Sequence, residues 1–386
     1  MYMSRNNNGQ MNEEVALTEA QFQEEQKLQA QQNKCTGCGA GMKFDIATGG
    51  LKCNHCGSVQ EFNDNELVQR RAITDDLINK HEKWDEARVL RCANCGATEV
   101  VNRTDISLGC AFCGSAKITA VEDLPGIKPD SVIPFQITPE TAHQRFRKWI
   151  KGKFFAPSRF KKADVKEHMN KIYTPCWSFS SRTENFYNGT LGRTVTVHHH
   201  HRGGMHGRGS HGGHTETRIH WFRVSGVMNK HYTDVFFQSG SRISNINFNR
   251  LKPYNLKQVK VYRQEYLSGI IAEHYSKTLE NCLNEFSQFV KSDIRRDILR
   301  KHGADQVSHL NIQTTFHDRH FNYVLLPVYV SNYTYKNKLY NFYVNGATGN
   351  IVGRYPKSIM KIGVIVLGVI AIVAGAVTGL WFSGMI

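Results

Sequence analysis

Residues 35–58 read CTGCGAGMKFDIATGGLKCNHCGS and residues 92–115 read CANCGATEVVNRTDISLGCAFCGS, two copies of one pattern set 57 residues apart. Cys35 and Cys38 are followed after 14 residues by Cys53 and Cys56, and Cys92 and Cys95 after 14 residues by Cys110 and Cys113. A glycine follows the second cysteine of each pair: Gly39, Gly57, Gly96 and Gly114. A tetrahedral all-cysteine Zn²⁺ site needs four thiolates; a Cys-x2-Cys turn presents two of them from one knuckle, and the glycine lets backbone amides approach the sulfurs. The spacing therefore predicts two four-cysteine zinc ribbons, each holding one structural Zn²⁺. The competing reading of these residues is paired disulfides in a secreted domain. Ribbons are small, metal-held folds that usually bind a partner rather than perform chemistry.

The two ends of the chain bound where such ribbons would work. Residues 1–33 are polar, with a Glu/Gln-rich helical stretch at Glu13–Gln32 and no apolar core of the kind a signal peptide needs. Thiolate clusters without a secretion signal point to a reducing compartment. At the other end Ile362–Phe382 is 21 residues without a charge, about 31 Å as a helix, enough to cross a bilayer core. Trp381 and Phe382 mark one interface; Arg354, Lys357 and Lys361 flank the other. We expect a single-pass tail anchor over 362–383, with the bulk of the chain cytoplasmic. Ala371, Gly375 and Gly379, spaced by four, form a small-residue stripe along which two such helices could self-associate.

The formal charge of +16 is unevenly placed. Residues 1–124 hold 13 Lys/Arg against 18 Asp/Glu, net −5, whereas residues 125–357 hold 35 against 15, net +20. The basic surface thus belongs to the part next to the anchor, where an anionic leaflet would attract it. Nucleic acid would reward the same charge.

Between the ends, the reading is a flexible segment (1–33), ribbon 1 (34–60), a helical connector (61–90), ribbon 2 (91–120) and a basic α+β domain (121–357). In that domain Thr138, Pro139 and Gly152 delimit one helix by N-cap, first-turn proline and stop. A second helix is expected over Ala272–Lys301, with apolar positions from Leu279 to Ile298 at helical spacing and Gly303 ending it. Strand-like runs are Tyr173–Phe179, Thr190–Val197, Ile219–Val227, Asp234–Gln238, His309–Phe316, Asn322–Asn332, Tyr335–Val344 and Asn350–Arg354, separated by Gly or Asn-Gly turns including Asn345-Gly346 and Thr348-Gly349. The expected class is α+β: two small zinc ribbons, a larger antiparallel-sheet domain and one C-terminal transmembrane helix.

Two further clusters carry candidate chemistry. His198, His199, His200, His201, His206, His211 and His214 crowd a Gly/Arg-rich loop over 198–214, read as a solvated hairpin loop with weak affinity for Zn²⁺, Ni²⁺ or Cu²⁺ or, alternatively, as a metal-handling site. In Arg145–Lys171, the cations Arg145, Arg147, Lys148, Lys151, Lys153, Lys161 and Lys162 alternate with Phe146, Trp149, Phe154, Phe155 and Phe160. That interleaving fits an amphipathic helix with core aromatics, a lipid surface or single-stranded nucleic acid. Cys176 and Cys282 are unpaired and read as core residues. The sequence contains no GxxxxGK[ST], HExxH or GxSxG motif and no GxGxxG between a strand and a helix, and no catalytic constellation is expected.

Taken together, the paired ribbons, the stretches FRKWIKGKFFAPSRFKK and KIYTPCWSFSSRTENFYNG, and VLLPVYVSNYTYKNKLYNFYVNGATGNIVGRYPKS leading into the anchor resemble a bacterial family of membrane-anchored, TFIIB-type zinc-ribbon proteins, often labelled as similar to the primosomal protein N′ helicase. The resemblance covers roughly residues 34–383, and only a cysteine ribbon is shared with the helicase. It implies Zn²⁺ at the eight ribbon cysteines and association with phage-shock-type or band-7 (SPFH) membrane proteins. The histidine-rich loop departs from the usual pattern. The expected function is a tail-anchored, non-enzymatic adaptor at the membrane that binds a protein partner and, through its basic domain, anionic lipid. The alternative is a TFIIB-like or primosome-like nucleic-acid-binding protein tethered there.

Overall fold

The computed structural model describes residues 34–62, 66–74, 87–102, 110–113, 115–121, 126–161, 169–199, 214–336 and 338–382. Strands β1 (Met42–Asp45), β2 (Gly50–Cys53) and β3 (Val59–Gln60) form a separate three-stranded antiparallel sheet, the first ribbon. β4 (Arg71–Ala72) follows, then β5 (Ala87–Cys92), β6 (Thr98–Asn102) and β7 (Ile118–Val121), which build the second ribbon. After β8 (Ser131–Val132) come the helices α1 (Pro139–Lys151) and α2 (Ser158–Lys161).

The centre of the molecule is three long antiparallel strands: β9 (Met169–His199), β10 (His214–Gln238) and, much later, β13 (Gln306–Tyr335). β9 lies in the middle, with β10 paired to one edge and β13 to the other. Between β10 and β13 the chain makes α3 (Asn245–Leu251), β11 (Lys260–Val261), β12 (Ile271–Glu273) and α4 (Leu279–His302). β14 (Lys338–Asn345) and β15 (Ile351–Gly353) close the sheet, and α5 (Ile359–Phe382) ends the described chain. The class is α+β, with a large mixed sheet: β8 runs parallel to β13, and β12 parallel to β9.

Capping explains the helices. Thr138 and Thr278 accept the N–H of Thr141 and Asn281, opening α1 and α4, and Gly303 closes α4 in the left-handed region at φ 57°. Helix α4 buries Cys282, Phe286, Val290, Ile294 and Ile298 at helical spacing against the sheet. Phe286 stacks on Phe179 at 5.4 Å, and Trp177, fully buried among Tyr275, Phe321 and Tyr323, donates its indole N–H to Lys277 O at 3.1 Å. Each such ring contributes about 1.5–3 kcal/mol of burial. Cys176 and Cys282 are core residues, as expected.

Four expectations change. The second helix begins at Leu279, not Ala272, because Ile271–Glu273 is a strand paired to β6 and β9. The connector expected to be helical is extended over 66–74, where Arg71 and Ala72 pair with Phe321 and His320; 75–86 lies outside the described residues. The separate strand runs fuse into β9, β10 and β13. Glycines inside them are points of close approach rather than turns: a Cβ on Gly189 would lie 2.4 Å from His309 O, and one on Gly226 would lie 2.8 Å from the Tyr187 hydroxyl. Finally, ribbon 2 is not a unit apart, since β6 pairs with β12 and joins the main sheet. The stretch 1–33 lies outside the described residues.

Candidate metal centres

Both cysteine quartets close. Cys35, Cys38, Cys53 and Cys56 place their four sulfurs within 4.8 Å of one another, and so do Cys92, Cys95, Cys110 and Cys113. Cross-knuckle S···S separations are 3.4 Å (Cys35–Cys56), 3.5 Å (Cys38–Cys53), 3.7 Å (Cys92–Cys113) and 3.6 Å (Cys95–Cys110). A disulfide would need about 2.05 Å. Four thiolates around an ion with bonds of about 2.3 Å stand about 3.8 Å apart, so both quartets fit a tetrahedral ion held by sulfur. Among the described residues these are the His/Cys/Asp/Glu groups that could hold a metal.

In three of the knuckles the amide after the second cysteine closes on the first; Gly114, in the fourth, lies outside the described residues. Gly39 N–H donates to Cys35 O at 2.8 Å, Gly57 to Cys53 O at 3.0 Å and Gly96 to Cys92 O at 2.8 Å. Gly39, Gly57 and Gly96 take φ of 72°, 78° and 69°, the left-handed region that favours glycine.

The first quartet is half open. Cys35 and Cys53 are buried, whereas Cys38 and Cys56 are exposed. The Ser58 hydroxyl and amide hold the Cys56 thiol down to about 6. Cys38 is pushed up to about 12, a balance in which the Ala40 amide lowers it and its neighbour Cys53 raises it. Ribbon 1 meets the body away from its metal ligands. Phe44 N–H donates to Ser268 O at 3.1 Å, and Phe44 and Phe62 pack on Tyr266 at 5.4 and 4.9 Å.

The second quartet is clamped from several sides. Glu99, 1% exposed, accepts the Cys110 S–H at 3.0 Å and the Ala111 N–H at 2.9 Å through one oxygen. Asn170 donates to Ala111 O at 2.8 Å and Asn332 to Phe112 O at 3.1 Å. On the other knuckle the Arg242 guanidinium donates to Cys95 O at 2.6 Å and sits 6.0 Å from the Phe112 ring. Arg242 is positioned by Glu273, which accepts its backbone N–H at 3.1 Å and that of Ser241 at 2.6 Å. Glu273 lies opposite Glu99 on paired strands. Burial pushes Glu273 up to about 7, and burial also raises Glu99. Through one carboxyl oxygen Glu99 thus holds both the ligand Cys110 and the amide beside it, an arrangement suited to fixing a ligand.

Sequence reasoning named the eight cysteines but missed Glu99, Asn170, Arg242, Glu273 and Asn332. The signal available for two of them was a lone glutamate inside an apolar run, Glu99 beside Val100 and Val101, and Glu273 after Ile270–Ala272.

The other candidates separate. Of the histidines, His198, His199 and His214 lie on the last rungs of the β9–β10 ladder, where His199 pairs with His214; His200, His201, His206 and His211 lie outside the described residues. In the basic stretch Phe146 and Phe160 are 1% exposed and belong to the core, so the amphipathic-helix reading holds for them, while Phe154 is 63% exposed. Arg145, Arg147, Lys148 and Lys151 lie on α1, Lys153 follows it and Lys161 ends α2; Lys162 lies outside the described residues. The helix α5 contains an apolar window, Ile359–Thr378, of mean hydropathy 2.5, none of it buried inside the molecule. Its length and composition suit a membrane span.

The chain is 29% identical over 355 residues to YdjG, an uncharacterized protein of Bacillus subtilis (strain 168), an alignment covering 91% of this chain and 93% of that one. No family model matches the chain, and no solved structure matches it.

Proposed function

We propose that this chain is a tail-anchored cytoplasmic adaptor of the membrane-bound TFIIB-type zinc-ribbon kind, non-enzymatic, with two structural Zn²⁺ ions. The observation that carries the reading is a half-exposed four-thiol ribbon on a body that also carries an apolar helix, Ile359–Thr378 of which stands out from the rest of the molecule. Zn²⁺ suits closed tetrahedral thiolate sites, being redox-inert and without a geometric preference that such a site would frustrate. The paired Cys-x2-Cys clusters and the cationic flank Arg354, Lys357 and Lys361 support a cytoplasmic body. Ribbon 1 is the surface offered to a protein partner, for which membrane-stress (phage-shock) or band-7 (SPFH) proteins are the class implied by resemblance.

The test is to purify the intact chain from its native membranes in mild detergent, without nuclease, and identify what accompanies it. Scaffold or membrane-stress proteins in fixed ratio, lost when Cys38 and Cys56 are replaced by serine, are the expected result. Removal of residues 359–386 should move the chain to the soluble fraction with two zinc ions per molecule. A truncated chain that stays with membranes unaided overturns the anchor.

The net +20 on residues 125–357 favours one second reading, a nucleic-acid-binding factor held at the membrane. It requires binding that weakens steeply with salt. The net −5 of residues 1–124 counts against the ribbons as its contact.

A further inference from the structure

We propose that the corner where α1, the 153–157 loop and the foot of α5 meet is a seat for anionic phospholipid headgroups, with Phe154 lying in the bilayer interface. The proposal rests on the reading that α5 crosses a bilayer. The foot of that helix is fastened to the loop: Ser358 N–H donates to Phe155 O at 2.8 Å, and the Lys361 ammonium donates to Phe154 O at 3.0 Å and Ala156 O at 2.9 Å. Lys361 also sits 5.7 Å from the Phe154 ring. The loop is thereby held level with the first turn of α5, where headgroups begin.

At that level the aromatic side chains sort themselves. Phe146 and Phe160 fill the core and Trp149 stacks edge-on against Tyr355 at 6.0 Å, leaving Phe154 outside at 63% exposure. An exposed phenylalanine beside an apolar helix gains by entering the interface. The charges around it are of one sign. Residues 141–161 contain seven Lys/Arg and no Asp/Glu, and residues 333–361 contain five and none. The tip of the β13–β14 hairpin, carrying Lys336 and Lys338, is held beside α2 by Phe160 packing on Tyr333 and Tyr335 at 5.0 and 6.2 Å. On the outer stripe of α1, His143, Gln144, Arg147, Lys148 and Lys151 line a shallow, open depression that sets three cations on one helix face within reach of a phosphate headgroup. Nucleic acid would want the rings free for stacking, and here most are committed to the core.

The test uses the full chain in mixed micelles of equimolar phosphatidylglycerol and phosphatidylcholine, with the lipids retained after detergent washing counted by native mass spectrometry. The expected result is a several-fold excess of phosphatidylglycerol, each cation near the lipid being worth about fivefold. Replacing Arg147, Lys148 and Lys151 by glutamine should bring the ratio close to parity. Replacing the exposed Lys257, Lys291 and Arg295, which lie elsewhere, should leave it unchanged. In vesicles, the emission gained by Phe154→Trp should be quenched by lipids brominated high on the acyl chain. Parity in the parent chain, equal loss in both triple variants, displacement of the lipid by a short oligonucleotide, or an unquenched Phe154→Trp signal would each overturn the seat. A chain that fails these tests yet resists carbonate extraction leaves the anchor intact; extraction by carbonate would sink the anchor and the seat together.

Discussion

In ribbon 1, Cys38 and Cys56 face solvent and, among the described residues, the three strands pair only with one another; in ribbon 2 the matching Cys95 and Cys113 are half-buried, and β6 is a rung of the main sheet. The same 14-residue spacing between cysteine pairs produces both. What differs is what the body supplies. Ribbon 1 meets the body through apolar packing of Phe44, Ile46 and Phe62 beside Tyr266 and a backbone bond from Phe44, none of which touches a knuckle. Ribbon 2 receives Glu99 from its own β6, and Asn170, Asn332 and Arg242 from three separate stretches of the body. A metal knuckle can thus be a free module or a staple of a larger sheet, and the ligand pattern alone does not say which. Polar groups reaching the knuckle carbonyls do.

The largest effect should come from removing one ligand in each ribbon. Cys110→Ser should strip the metal from ribbon 2, unpair β6 from β12 and destabilise the whole body, on the order of 5 kcal/mol, since structural zinc is itself folding free energy. Cys53→Ser should unfold ribbon 1 alone and cost the body the burial of Phe44, Ile46 and Phe62 beside Tyr266, on the order of 2–3 kcal/mol. Hydrogen exchange of the full chain reads both: the β9 and β12 amides should open readily in the first variant and stay protected in the second. Equal protection in the two variants would dissolve the distinction between module and staple.

Arg242→Ala comes next. It removes the donor to Cys95 O and the cation near Glu99 and Glu273, and should cost about 2 kcal/mol, with ribbon 2 losing its metal to a competing chelator faster than in the parent. Metal loss from ribbon 1 should be unchanged. Arg242→Lys should recover little, because one ammonium cannot reproduce the planar guanidinium that both donates to the carbonyl and lies over Phe112.

These same residues mark how far the sequence could be read. The eight cysteines were legible because a four-thiol cluster is written in local spacing, and α5 because it is one long uncharged run. The ends of α1 and the C-terminus of α4 were legible from Thr138, Pro139, Gly152 and Gly303, whose roles are local. The clamp was not. Arg242 is 147 residues from Cys95 and Asn332 is 220 from Phe112, so nothing in either neighbourhood announces the other. The long strands were broken too early for a related reason. Gly189, Gly192 and Gly226 look like turn residues in one dimension, yet in the sheet they make room for the His309 backbone, for Ile219 and Trp221, and for Tyr187. Ala272 and Glu273 of the short β12 read as helical because both are good helix formers, and only the pairing of β12 with Val100 and Ile172 distinguishes them.

A smaller effect concerns pH at the joint. Burial holds Glu273 at about 7 against 4.5 for the exposed group. Between those values the unfolded chain has released its proton while the folded chain keeps it, so stability falls as pH rises across this window and levels off above it. Glu273→Gln keeps an acceptor for the Ser241 and Arg242 amides and removes the titration. The variant should match the parent near pH 4.5 and exceed it by on the order of 1–3 kcal/mol at about pH 8, read from urea midpoints. A parent whose stability rises with pH in that range would show that the carboxylate is charged and paired, and that Arg242 holds the joint as an ion pair.

The smallest effect belongs to the open ribbon. The Ser58 hydroxyl and amide keep the Cys56 thiol near 6, so this exposed ligand yields its proton easily and the metal faces little competition from protons at neutral pH. Ser58→Ala deletes the hydroxyl and leaves the amide. The thiol then binds its proton more tightly, and ribbon 1 should release its metal at a pH higher by a fraction of a unit, while ribbon 2, where Ser115 contacts Lys117 N–H rather than a ligand sulfur, serves as the internal reference. Acid titration of the full chain with a metal-sensitive dye should show two release steps, of which only the one assigned to Cys35, Cys38, Cys53 and Cys56 moves. Movement of both steps would mean that the ribbons exchange metal or fold as one, and the exposed ribbon could not then dock a partner independently of the sheet that carries the other.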